Sequence, residues 1–122
     1  MYKIIETFKF GSSHSFIDAF GVGTGSHGHD WNVKITAITE SLNKLGQVIE
    51  YKTLRKLVQE EIDKFDQKYL NEMDEFKNVN PTEEIIAALI YLVLSEKIND
   101  GNIKISEVEI WELEKRRVAY YE

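Results

Sequence analysis

The chain has 122 residues, 43% hydrophobic, with 21 acids, 15 bases and no cysteine; this suits one domain over residues 1–122 and excludes disulfides, thiolate metal sites and cysteine nucleophiles. The net charge of −6 argues against a general nucleic-acid binder, which needs basic surface to neutralise phosphates. No apolar run approaches the roughly 18 residues of a membrane span, and the opening MYKIIETFKF lacks a signal peptide's apolar core, so the expectation is a cytoplasmic protein with neither membrane nor nucleic acid as partner.

Residues 2–10 alternate: Tyr2, Ile4, Phe8 and Phe10 share one side with Glu6, and Lys3, Thr7 and Lys9 share the other with Ile5. Period two predicts a strand. Residues 11–26 are rich in glycine and serine and read as a loop, of a length that in small domains is usually functional or disordered. Alternation returns over 31–39, with Trp31, Val33, Ile35 and Ala37 opposite Asn32, Lys34 and Thr36. After the turn residues of SLNKLGQ and Glu50, the period changes. Tyr51, Leu54, Leu57, Val58, Glu61, Ile62 and Phe65 fall at helical spacing, predicting a helix that ends near Asp66. NEMDEFKNVNP reads as a connection. Thr82 is placed as the N-cap of a second helix, with Glu83 and Glu84 in its first turn, where the helix dipole favours acids. Ile85, Ile86, Leu89, Ile90, Val93 and Leu94 are its apolar face. NDGN is a turn, 103–112 alternates again, and RVAYY supplies a last strand. Lys115, Arg116 and Arg117, the only basic cluster, read as a solvated turn, and Trp31 and Trp111 as core.

The order is β-β-α-α-β-β, an α+β fold. Two helices cannot enclose four strands, so they should cover one face of an antiparallel four-stranded sheet. Two sheet edges remain, which a symmetric oligomer would close.

All three histidines, His14, His27 and His29, lie within sixteen residues. In extended chain, residues i and i+2 point to one side, so His27 and His29 aim together. Pairing of the first two strands would add His14 and make a three-histidine zinc site with an open fourth position. The other reading is three ordinary polar histidines.

The segments SSHSF, HGHDW, GQVIEYKTLRKLV, FDQKYLN, NPTEE and EIWELEKRRVAYY resemble, in that order and over nearly the whole chain, the 6-pyruvoyl-tetrahydropterin synthase and 6-carboxytetrahydropterin synthase (QueD) family. The resemblance implies the tunnelling fold, whose subunits close into a trimer or a hexamer of stacked trimers. It implies Zn2+ held by His14, His27 and His29. It also implies a reduced pterin anchored by Glu112, with the neighbourhood of Thr82 lining the pterin site. A carboxylate accepting two N–H bonds from a guanidine-like ring edge is a strong, directional pairing; the plain alternative for Glu112 is a solvated strand-end acid.

The chain departs from the family pattern at the acid–base relay. The family's cysteine, four residues before HGH, falls on Gly23, and its Asp-His pair reads Asp66-Gln67. Glutamine does not exchange a proton near neutral pH. Some members carry a glutamate in place of the cysteine, but the only acid between His14 and His27 is Asp18. Two functions are therefore open. One is a zinc-dependent lyase acting on the side chain of 7,8-dihydroneopterin triphosphate or a relative, with retro-aldol cleavage as the less demanding chemistry and Asp18 and Asp66 as replacement bases. The other is a non-catalytic pterin- or zinc-binding protein. A bare oligomeric scaffold ranks below both. Asp18 is otherwise a loop acid, and Asp66 a cap or turn residue.

Overall fold

The computed structural model describes every residue except Ala19 and Thr24. The strands are β1 (Tyr2–His14), β2 (His27–Thr39), β3 (Lys68–Tyr69), β4 (Ile103–Trp111) and β5 (Val118–Tyr121), and the helices are α1 (Tyr51–Asp63) and α2 (Glu83–Ile98). They form one sheet in the order β3-β1-β2-β4-β5. The expected four antiparallel strands are present, and the sheet gains a fifth: β3 joins β1 in parallel at Ser12 and Ser13. This strand lies between the predicted end of the first helix near Asp66 and the predicted connection from Asn71, a stretch to which the sequence assigns no element. The α-helix ends at Asp63, and residues 64–67 turn back toward β1.

The inward face collects Phe8, Phe10, Trp31, Val33, Ile35, Ala37, Ile105, Val108 and Ile110, which share one buried cluster with Leu54, Val58 and Ile62 of α1 and Ile86, Ile90 and Leu94 of α2. Both helices therefore cover the same face, as the strand and helix periods require. At roughly 25 cal/mol per Å² of apolar surface, this burial is the main stabilising term. Trp31 stacks on Phe10 with ring centres 5.6 Å apart. Trp111 is buried as well, at 7% exposure, beside the main cluster and with the Arg117 guanidinium 4.1 Å from its ring centre. Both tryptophans are buried, as expected.

Two features of the sheet decide which side chains gather at its far end. First, β1 and β2 continue as a paired ladder past the core, through Ser12 opposite His29 to His14 opposite His27; the loop expected from residue 11 begins only at Ser15. Second, the β2–β4 register shifts between Thr36 and Ala37, where Thr36 faces Glu107 and Ala37 faces Ile105. A bulge of this kind reverses which residues point inward. Inward positions of β4 are therefore odd up to Ile105 and even from Val108 onward.

Candidate functional site

The inward strand face runs beyond the ends of the helices, and its last residues are the histidines. His14 and His27 are cross-strand partners, and His29 follows two residues along β2 on the same side. Glu112 follows Ile110 by two residues and so inherits the inward face that the bulge created. With Phe16, Thr82, Glu83, Glu84, Arg116 and Val118, these residues line a cleft of about 380 Å³. A shallower depression of about 580 Å³ lies beside it, lined by Gly11, Ser13, Asp30 and Gln67 among others. The first gathers the imidazoles and carboxylates, so the chemistry belongs there.

The imidazole centres are 4.6 Å apart for His14–His29, 5.8 Å for His27–His29 and 6.0 Å for His14–His27. Three imidazoles bound tetrahedrally to zinc at ordinary Zn–N distances have ring centres about 5 Å apart. His14 Nδ1 lies 2.9 Å from the Pro81 carbonyl. Donation of Nδ1–H to that oxygen fixes the tautomer and leaves Nε2 with its lone pair, the arrangement a metal ligand needs. Burial lowers the His14 pKa, opposed by the Pro81 contact and reinforced by the other two imidazoles, which favours the neutral ring. His29 Nδ1 is buried without a hydrogen-bond partner. It lies 2.5 Å from Glu112 Oε2, a contact whose direction is off that of a hydrogen bond. Among the described residues, no three side chains already aim donor atoms at a common point. The rings stand at the spacing of a metal site without being turned onto one.

Thr82 is the N-cap expected of it, its Oγ accepting from the Ile85 N–H at 3.2 Å. Its own N–H donates to the Asn80 carbonyl and its carbonyl accepts from Ile86. What it retains for a ligand is the hydroxyl hydrogen.

The two acids proposed as replacement bases are not brought to the cleft within one subunit. Asp18 is exposed, and its Oδ1 accepts from the N–H groups of Phe20 and Val22, both at 2.9 Å. It folds its own loop. Asp66 Oδ1 accepts from the Gly11 N–H at 2.9 Å, and the Gln67 N–H donates to the Gly11 carbonyl at 2.6 Å. Ser12 Oγ donates to the Phe65 carbonyl close by. Together these contacts clamp the turn after α1 onto β1, with Asp66 as a turn residue.

Glu83 and Arg116 are among the cleft residues that sequence reasoning passed over. Glu83 appears there only as a first-turn acid; its side chain is 13% exposed, with Arg116 Nη2 3.6 Å from Oε1 and Oε2 buried without a partner. Burial raises its pKa; Arg116 opposes this and the carboxylates of Glu84 and Glu112 add to it. Arg116 belongs to the basic cluster read as a solvated turn. It is exposed, yet it forms part of the cleft wall. The signal that could have found Glu83 was its position next to an N-cap already placed at the site.

Comparison with known proteins bears on the family and the fold. The family model described as 6-pyruvoyl tetrahydropterin synthase matches residues 3–122. A candidate 6-carboxy-5,6,7,8-tetrahydropterin synthase of Archaeoglobus fulgidus is 34% identical over 84 residues, covering 68% of this chain and 69% of that one. The Caenorhabditis elegans 6-pyruvoyl tetrahydropterin synthase structure superposes with a TM-score of 0.85 at 18% identity, covering 99% of this chain and 95% of that chain. The Plasmodium vivax 6-pyruvoyltetrahydropterin synthase, in a variant with a catalytic glutamate replaced by alanine, gives 0.74 at 15% identity, with 99% and 97% covered. At these identities the solved structures speak to the fold. No helix is long and apolar enough to cross a membrane among the described residues.

Proposed function

Because the chain belongs to the 6-pyruvoyl tetrahydropterin synthase family, we propose that its cleft binds a reduced pterin beside a zinc ion and acts as a lyase on the pterin side chain. One observation carries this reading: the cleft wall holds all three histidines of the chain together with Glu112. His14, His27 and His29 hold the metal. Zinc in a three-histidine setting supplies Lewis-acid chemistry, lowering the pKa of a hydroxyl. Glu112 accepts paired N–H bonds from the guanidine-like edge of the pterin, and the Thr82 hydroxyl donates to a ring acceptor. The substrate class is 7,8-dihydroneopterin or its triphosphate. With an incomplete relay, retro-aldol cleavage between C1′ and C2′ fits better than phosphate elimination with tautomerisation, because it demands less of a second base. Asp18 and Asp66 take part only where a neighbouring copy brings them to the cleft, in a trimer or hexamer.

A second reading, a pterin- or zinc-binding protein without chemistry, is favoured by the placement of Asp18 and Asp66 in their own loop and turn. One experiment separates the two. Zinc-loaded protein is mixed in excess with 7,8-dihydroneopterin triphosphate or with 7,8-dihydroneopterin, and the products are identified. A 6-hydroxymethyl, 6-carboxy or 6-pyruvoyl pterin establishes the lyase and names its reaction. Tight pterin binding with one metal per subunit and no product establishes the binding protein. Failure to bind either pterin overturns both.

A further inference from the structure

Resting on the lyase reading above, we propose that Glu83 is the catalytic base and proton carrier of this site, doing in one residue what the missing relay would have shared. It is the least exposed carboxylate of the cleft wall. Its side chain is 13% exposed, against 34% for Glu112, while Glu84 is exposed outright. Its Oε2 is desolvated and makes no hydrogen bond, so turning that oxygen toward a substrate hydroxyl breaks no bond. It starts α2 directly after the N-cap Thr82, whose Oγ is fixed by Ile85, so the carboxyl sits on a rigid element and not on a loop.

The groups that face Glu83 give the electrostatics a base needs. Glu84 stands beside it in the first turn of α2, Glu112 approaches from the end of β4, and Arg116 from the turn before β5. Lys115 joins Glu83, Glu112 and Arg116 around a further small cavity, and the three imidazoles line the same cleft as Glu83. Burial and the two like charges make the carboxylate more basic, and Arg116 limits the effect. A base is most effective when its pKa is moved toward the working pH. Glu112, in close contact with His29, is suited to hold the ring and leaves Glu83 for the proton.

The step balances without a co-reactant. The Glu83 carboxylate takes the proton of the C2′ hydroxyl as the C1′–C2′ bond of 7,8-dihydroneopterin breaks. The C2′ oxygen becomes the carbonyl oxygen of a two-carbon aldehyde. The electron pair of the broken bond moves into the C6=N5 imine of the dihydropterin ring. The same carboxyl then returns the proton at C1′, leaving a 6-hydroxymethyl dihydropterin.

The test compares wild type, Glu83→Gln and Glu83→Asp, all zinc-loaded, in single-turnover cleavage of 7,8-dihydroneopterin across pH, with pterin affinity measured separately by fluorescence. Glutamine keeps the shape of the side chain, and thermal melts confirm folding. The expected result is a loss of at least about 100-fold in cleavage for Glu83→Gln, with affinity changed by less than about threefold. The rise of rate with pH seen in wild type disappears in Glu83→Gln and returns, at lower rate, in Glu83→Asp. A Glu83→Gln protein with wild-type rate and pH profile overturns the assignment and leaves the lyase reading standing. So does one that loses only affinity. A wild type that binds the pterin and cleaves nothing overturns the lyase reading and the role of Glu83 with it, and the wild-type arm alone reveals that case.

Discussion

Glu112 and Gln67 show how much one residue can carry here. Among the described residues, Glu112 is the one cleft carboxylate in contact with a histidine, His29 at 2.5 Å, so ligand affinity and zinc content are read on the same variant. Glu112→Gln keeps the volume but cannot accept two charge-assisted N–H bonds. We expect it to weaken binding of reduced pterins by about 2 kcal/mol, or about 30-fold, with metal content unchanged. Equilibrium titration with zinc analysis on the same sample checks this; undiminished affinity would remove Glu112 from ring recognition. Gln67 has a positive φ of 61°, a conformation costing a non-glycine residue roughly 1–2 kcal/mol. Gln67→Gly removes that cost and adds chain entropy of about 0.4–1 kcal/mol to the unfolded state. The expected net gain is up to about 1.5 kcal/mol, read from urea midpoints. A loss would mean that the glutamine side chain holds the turn. Residue identities of this kind were legible in part. The histidines stood out because the chain has no others. Glu83 did not, because the sequence cannot tell a buried first-turn acid from a solvated one.

At the scale of elements, period two and the helical period locate the four longer strands and both helices, since each repeats over several residues, but not the short turns that bring Leu70 and Phe76 into the core. The ends are harder. β1 runs on to His14 and β2 begins at His27, where Ser12 and His14 face inward toward a cleft and leave no apolar alternation to read. β3 spans two residues, too short for any period. The bulge opposite Thr36 is visible with hindsight: inward apolar residues change from odd, at Ile103 and Ile105, to even, at Val108 and Ile110. Without that change Glu112 would face away from the histidines. Between the helices, Glu61 is buried at 3% exposure with Lys97 Nζ at 2.5 Å and Lys64 Nζ at 2.9 Å. Burial alone would raise its pKa, but the hydrogen bonds from Lys97 and Lys64 outweigh it and hold the carboxyl below its ordinary value. Its stabilising contribution is therefore complete above the unfolded glutamate pKa of about 4.3 and is lost as pH falls through the lower folded value. Lys97→Met should reduce stability at neutral pH and move acid unfolding to higher pH, as followed by circular dichroism. An unmoved acid transition would assign the effect to Lys64 alone.

The whole molecule leaves its sheet unfinished. β3 covers only Ser12 and Ser13 of β1, so residues 2–11 of β1 have no strand on their outer side among the described residues. At the other end, β5 pairs with β4 through Tyr121 to Val118 and has no outer neighbour there among the described residues. Unpaired N–H and C=O groups at a sheet edge attract further strands, and two open edges on a twisted sheet invite ring closure by identical copies. Tyr2 and Ile5 on one edge strand and Tyr121 on the other are large and exposed, a cost to a free monomer that association would relieve. Closure also offers the route by which Asp66 or Asp18 of one copy would approach the cleft of the next. We therefore expect light scattering to give the mass of three or six subunits at micromolar concentration. Mixing inactive His27→Ala subunits with Asp66→Ala subunits, by unfolding and refolding them together, should restore part of the activity if neighbouring copies share each site. Activity no higher than that of either variant alone, in an assembled oligomer, would place each site within one subunit and leave Asp66 the structural role it has beside Gly11.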